Sequence, residues 1–144
     1  MSKSARFILV LLRIGMGWLF LYTGITKVLN PEWTSAGYIS GAKTLTSLYS
    51  WLGSAEIIQY VDFVNKWGLV LIGVSLIFGL FVRFSAPLGA LLMLLYWIPL
   101  LSFPYVGEHS YIVDDHIIYI LILLFFAAVG AGRYFGLDRT FGRD

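Results

Sequence analysis

Apolar residues run almost unbroken from Phe7 to Leu29, and the two cations in that run, Arg13 and Lys27, fall on one face of it. The stretch FILVLLRIGMGWLFLYTGITKVL exceeds the roughly 20 residues needed to cross a bilayer. Arg13, Gly17, Phe20, Gly24 and Lys27 step by four, three, four and three, so a helix carries all five on one face. A cation facing lipid is costly, so this face is expected to look into protein or water. Its glycines let a second helix approach closely. The pattern therefore predicts a first helix, 7–29, with a close-packing seam and a cation near either end; Asn30-Pro31 stops it.

Later apolar runs predict spans over 67–82, 85–101 and 115–132. Gly68, Ile72, Ser75 and Gly79 are the expected small-residue face of the second, and Ser85 and Gly89 a small pair on the third. Pro87 falls in a first turn, where proline is tolerated, whereas Pro99 should bend or end its helix. On the fourth, His116, Tyr119, Leu123, Phe126, Gly130 and Arg133 share a face. The acids Asp114 and Asp115 precede it, and Asp115 is the expected cap. The outer segment 32–65 holds no run apolar enough to span. Leu45, Leu48, Tyr49 and Leu52 make one helical face there, and Ile57, Ile58, Val61 and Val64 another. These predict short amphipathic helices at the membrane surface or capping the bundle, with a re-entrant hairpin as the alternative.

Composition sharpens this picture. Only 12% of the 144 residues are charged, against about a quarter in a soluble domain. The expected class is an all-α integral membrane protein: one domain over 1–144, a four-transmembrane-helix bundle with short amphipathic outer helices. The runs do not alternate, which argues against a membrane barrel. No A-x-A-like site follows the first run, so it does not read as a cleavable signal. A net charge of +2 is too small to suggest nucleic acid. Lys3, Arg6, Arg13, Arg83, Arg133, Arg139 and Arg143 gather at one set of helix ends. Lys27, Lys43 and Lys66 lie at the other, mixed with Glu32, Glu56, Asp62, Glu108, Asp114 and Asp115. The positive-inside rule then predicts both termini in the cytoplasm.

The candidate chemistry is sparse. The chain has no cysteine, which excludes a disulfide framework, a thiol relay and a cysteine-ligated iron–sulfur cluster. Two histidines, with no pair at membrane depth, argue against a metal site or an internal haem. At the outer end Lys27, Asp115, His116 and Tyr119 form a candidate cluster that could hold an anion or take the proton of a quinol. The plain alternative is that Asp115 caps, Lys27 snorkels and His116 faces the interface. Tyr22, Trp67 and Trp97, with Trp18, Tyr96 and Tyr119, could sandwich a quinone ring, or serve as packing and an aromatic belt. At the inner end Arg13, Arg83 and Arg133 need partners, and Asp138 is the acid at hand. Asp138 is expected to fold back onto Arg13 or Arg83; the alternative is that the arginines bind a lipid phosphate or a quinone head group.

Three stretches together resemble the DoxX/DoxD family: LRIGMGWLFLYTGITKVLNPEW, WGLVLIGVSLIFGLFVRFSAPLGALLMLLYW and DDHIIYILILLFFAAVGAGRYFGLDR. The AGRYFGLD ending is most similar to the DoxD-like small subunit of thiosulfate:quinone oxidoreductases. The resemblance implies a multi-pass subunit of a prokaryotic cell membrane. Such a subunit oxidises thiosulfate outside the cytoplasm and reduces quinone together with a larger partner. Quinone is then the expected cofactor. Lipid, a second subunit and a second copy of the chain are the expected partners. The competing reading is a non-enzymatic subunit that assembles or stabilises a larger respiratory or transport complex. A solute carrier ranks last, since no inverted repeat is visible.

Overall fold

The computed structural model describes residues 1–142. Arg143, counted above with the inner cations, lies outside the described residues. The first helix, α1, is Lys3–Leu29, starting earlier than predicted because Ser2 caps it by accepting from the Ala5 amide at 3.1 Å. Arg13, Gly17, Phe20 and Gly24 are buried on its seam. Two short helices follow, α2 at Ala36–Ser40 and α3 at Thr46–Leu52. Next come α4 at Ile58–Phe78 and α5 at Val82–Leu100, then a small antiparallel hairpin of β1, Tyr105–Gly107, and β2, Ser110–Tyr111. The last long helix, α6, is Asp115–Val129, followed by 3-10 turns at Ala131–Arg133 and Leu137–Arg139.

Several boundaries differ from the sequence reading. The face Ile57, Ile58, Val61 and Val64 belongs to the start of α4, not to a separate amphipathic helix. The polar residues that suggested a break have partners there: Asp62 accepts from the Ser35 amide and hydroxyl, and Asn65 is engaged with Lys27. Of the face assigned to α3, only Tyr49 is buried, and Leu45 and Leu48 are exposed. α6 stops at Gly130, at φ 61°, instead of reaching 132. Its cap is Asp114, whose carboxylate accepts from the His116 and Ile117 amides, and not Asp115.

α1 packs along α4 and α5 along α6, with α4 and α5 joining the two pairs. The first contact is backbone against backbone. A Cβ on Gly24 would lie 2.7 Å from the Val70 amide, and one on Gly73 would lie 2.5 Å from that of Leu21. Gly68, predicted for this face, meets nothing within 4 Å. The buried stripe of α4 is instead Asn65, Leu69, Ile72, Gly73 and Leu76. Phe20, Leu69, Leu76, Leu123 and Phe126 fill the core between the pairs.

The segment between α1 and α4 caps the bundle, one of the two placements expected. Pro99 lies inside α5 and has no N–H, so the Leu95 carbonyl one turn earlier loses its helical donor. The Tyr49 hydroxyl supplies the replacement at 2.7 Å. The Lys43 amide donates to the Pro99 carbonyl, and the Thr44 hydroxyl to Leu101, so the outer segment satisfies the open carbonyl end of α5. At the opposite end Arg6 lies over the Tyr134 ring, and the Asp138 amide donates to the Gly79 carbonyl. The start of α1, the α4–α5 turn and the tail therefore share one end.

α1, α4 and α5 are long and apolar enough to cross a membrane. Large apolar side chains stand exposed along their outer faces, among them Trp18, Leu71 and Leu88. α6 has 15 residues, about 22 Å at 1.5 Å per residue, against a hydrocarbon core of about 30 Å.

Candidate functional site

Lys27 is in the last turn of α1, and its stem turns inward between α4 and α5. Its ammonium donates to Asn65 Oδ1 and to the Tyr96 hydroxyl, each at 2.9 Å. The Tyr96 hydroxyl in turn donates to Asn65 Oδ1 at 2.7 Å, closing a triangle. The ammonium also lies 4.5 Å from the centre of the Trp33 ring and 5.0 Å from that of Tyr96. Oxygen acceptors and aromatic faces together replace the water that a lysine ordinarily keeps.

Tyr96 also links this triangle to the start of α6. Its ring meets the His116 imidazole edge-on, with centroids 6.1 Å apart. His116 Nδ1 lies 2.7 Å from Asp114 Oδ2. Lys27 and His116, expected to meet, are thus brought to one tyrosine and not into contact with each other. Asp115 is exposed, and Asp114 takes both the capping and the imidazole-orienting positions. Tyr119 packs half-buried against the core, one turn beyond the cluster.

The aromatic set does not form one box. Tyr22 is 59% exposed and lies tilted on Trp18. Trp67 lines a separate polar cleft with Trp33, Lys66, Glu32 and Asp62. Trp97 donates through its indole N–H to the Ile112 carbonyl at 3.0 Å, holding the loop before α6. Asn65 is the residue that the sequence reading passed over, and Asp114 was read only as one of the two acids before the fourth helix. Asn65 was detectable, since it is in phase with Leu69, Ile72 and Leu76 once α4 is extended backward.

Beside the triangle is a cleft of about 300 Å³ among α2, α3, α4 and α5. Ile39, Leu52, Val61 and Leu92 give it apolar walls, and Asn65 and Tyr96 stand at its polar end. Tyr60 and Val64, each 63% exposed, open it toward the outer face of α4. Tyr38 and Tyr49 also line it, with their hydroxyls donating to the Tyr96 and Leu95 carbonyls. Burial, helped by the Asp114 charge and by Tyr49, pushes the Tyr38 phenol up to about 12; burial also raises Tyr49. Both stay protonated donors at neutral pH.

At the other end of the bundle Arg13 is 1% exposed. Its guanidinium donates to the carbonyls of Ala131 at 2.6 Å, Tyr134 at 3.0 Å and Phe135 at 3.4 Å. Asp138 accepts from the amides of Phe81 at 2.6 Å and Val82 at 3.1 Å, where α5 begins. Asp138, expected to fold back onto Arg13 or Arg83, folds back onto backbone amides at the head of α5, while Arg13 is held by carbonyls after α6. Glycines make room for both. A Cβ on Gly132 would lie 2.0 Å from Asp138 Oδ2, and one on Gly136 would lie 2.9 Å from Arg13 Nη1. Arg83 and Arg133 are exposed and line one cleft with Asp138. Among the described residues no group of His, Asp and Glu side chains is arranged to hold a metal ion.

Residues 8–101, from α1 to the end of α5, match the family described as DoxX. No curated protein and no solved structure matches the chain.

Proposed function

The chain belongs to the DoxX family, a membrane family in which some members are linked to oxidoreductases, and we propose that it is the membrane subunit of a quinone-linked oxidoreductase. The supporting observation is the cleft whose polar end is Asn65 and Tyr96, both of which are hydrogen-bonded to the Lys27 ammonium behind them. A quinone is a flat apolar ring carrying two carbonyl oxygens, and it travels within the bilayer. The cleft has apolar walls, opens on a face that the bilayer would cover, and has hydrogen-bonding groups at one end. Lysine has three N–H donors, and the contacts to Asn65 and Tyr96 use two. The third is the donor for an incoming carbonyl oxygen. His116, oriented by Asp114 and set against Tyr96, is the nearest group suited to move protons between a quinone and the surface.

The electron donor in this reading is thiosulfate, supported by the likeness of the AGRYFGLD ending to DoxD-like subunits. Two thiosulfates join as tetrathionate and release two electrons, which reduce one quinone with two protons. The chain has no cysteine to carry a sulfur adduct, so a second subunit is assigned the oxidation. α6, continued by its 3-10 turn, serves as the fourth span. The Lys27 end faces out of a prokaryotic cell, and both termini face the cytoplasm.

Purified with its native lipids, the chain should yield isoprenoid quinone on solvent extraction. A short-chain quinone should quench its tryptophan fluorescence. Lys27→Met and Asn65→Leu should each weaken that binding about tenfold, as expected for one charge-assisted hydrogen bond of ~1.5 kcal/mol. Unchanged affinity in a folded Lys27→Met protein would remove the site. A chain that carries no quinone, yet without which its complex fails to accumulate, would instead be an assembly subunit.

A further inference from the structure

The cleft lined by Trp33 and Trp67 occupies about 610 Å³ between the end of α1 and the first turns of α4. Gly24 packs on Val70, and one turn beyond that contact Lys27 and Lys66 stand level, where α1 ends. The Trp33 ring receives both, with the Lys27 ammonium 4.5 Å and the Lys66 ammonium 5.5 Å from its centre. The charges on the cleft wall are not equally committed. Asp62 is engaged by the Ser35 amide at 2.9 Å and hydroxyl at 2.6 Å. Lys66 lies beside Trp33, but among the described residues its ammonium donates to no oxygen. Glu32 is exposed and, among the described residues, enters no ion pair. The wall thus offers one cation and one anion that a ligand can match. Phe63 and Trp67, one turn apart on α4, are 63% and 43% exposed and set an apolar surface beside them. A ligand with a single charge would leave one of the two side chains unmatched, whereas a zwitterion matches both. Lysine binds phosphate as a point charge, and an ammonium donates to a carboxylate. Aromatic rings at the end of a span suit the level where head groups meet acyl chains.

We propose that this cleft binds one zwitterionic phospholipid with a primary amine, its phosphate on Lys66, its ammonium on Glu32 and its first acyl carbons against Phe63 and Trp67. The site is separate from the apolar cleft beside Asn65 and Tyr96 and does not depend on the quinone reading. A soluble phosphate ester of ethanolamine would match the two charges but would leave Phe63 and Trp67 without a partner.

The test uses the purified full chain in a neutral detergent, given phosphatidylethanolamine together with an excess of phosphatidylglycerol of matched acyl chains. Lipid retention is read by native mass spectrometry and stability by melting temperature. The chain carries a net charge of +2, so attraction by overall charge favours phosphatidylglycerol, which has no ammonium for Glu32. One phosphatidylethanolamine should nevertheless stay on each chain and raise the melting temperature, while glycerophosphoethanolamine should leave it unchanged. Glu32→Gln and Lys66→Gln should each lower that retention about fivefold, the scale of one exposed ion pair. A wild-type chain that gives up its phosphatidylethanolamine to the excess would overturn the proposal, and that result stands even if neither variant folds. A folded Glu32→Gln chain that retains as much as the wild type would overturn it as well. Stabilisation by glycerophosphoethanolamine equal to that by the lipid would replace it with a site for a soluble zwitterion.

Discussion

Arg13 shows what a sequence can and cannot say about a buried cation. Its position on the glycine seam predicts that it is enclosed and must be compensated. Its partners are carbonyls of Ala131, Tyr134 and Phe135, and backbone groups carry no letter in a sequence. Asp138 was the plausible mate by residue type, yet the open amides of α5 hold it. The two contacts should differ in worth. Asp138→Ala removes a cap and should cost about 1–2 kcal/mol. Arg13→Leu strands several buried carbonyls and should cost about 3 kcal/mol or more. Thermal melts of both variants in one detergent would check the order, and a wild-type melting point for Arg13→Leu would contradict the role given to it. Tyr38 offers a pH test. Its phenol rises from 10.0 in the unfolded chain to about 12 in the fold, so the fold favours the neutral form. Stability should hold below pH 10, fall as pH climbs from 10 to about 12, and fall less in Tyr38→Phe. Identical curves for the two proteins would show that the phenol does not titrate differently on folding.

The helices were legible because their apolar runs are long, and the α1 seam was legible because Gly17 and Gly24 keep its phase. Which glycine of α4 receives α1 was not. Gly68 and Gly73 look alike in the sequence, and only the register of the packed pair tells them apart. The distinction is measurable. Gly73→Ala forces a methyl to within 2.5 Å of the Leu21 amide, so it should lower stability by about 1–3 kcal/mol. Gly68→Ala meets open space and should be neutral or gain up to about 1 kcal/mol from helix propensity. Comparable losses from both would mean that α4 presents a different face. The start of α4 was hidden for another reason. Asp62, Asn65 and Lys66 read as a surface segment, but each has a partner distant in sequence: Ser35, Lys27 and the Trp33 ring. Polar residues at a helix end mark a boundary only when nothing elsewhere in the chain meets them. The Lys27 site was half visible on the same grounds: the sequence puts the cation on the α1 seam, but nothing in it names Asn65 and Tyr96 as the acceptors.

Taken together, the bundle has two chemically unlike ends. One carries Lys27, Asn65, Tyr96 and His116 beneath a cap of short helices. The other carries Arg13, Arg83 and Arg133 around a tail pinned by Asp138. Both functional readings depend on which end faces which compartment, and the count of spans decides whether the ends are sorted at all. If α6 crosses with α1, α4 and α5, Ser2 and Thr140 lie on the same side of the membrane and Ser47 on the other. The absence of cysteine makes the measurement clean, because a single introduced thiol is the only one present. A membrane-impermeant maleimide should label Ser47→Cys in intact cells, and Ser2→Cys and Thr140→Cys only after lysis. Labelling of Ser2→Cys but not Thr140→Cys, or the reverse, would reduce the spans to an odd number. Labelling of both, with Ser47→Cys protected, would turn the molecule over. The Lys27 cleft would then draw quinone and protons from the cytoplasmic side, and a thiosulfate donor outside would be too far away to reach it.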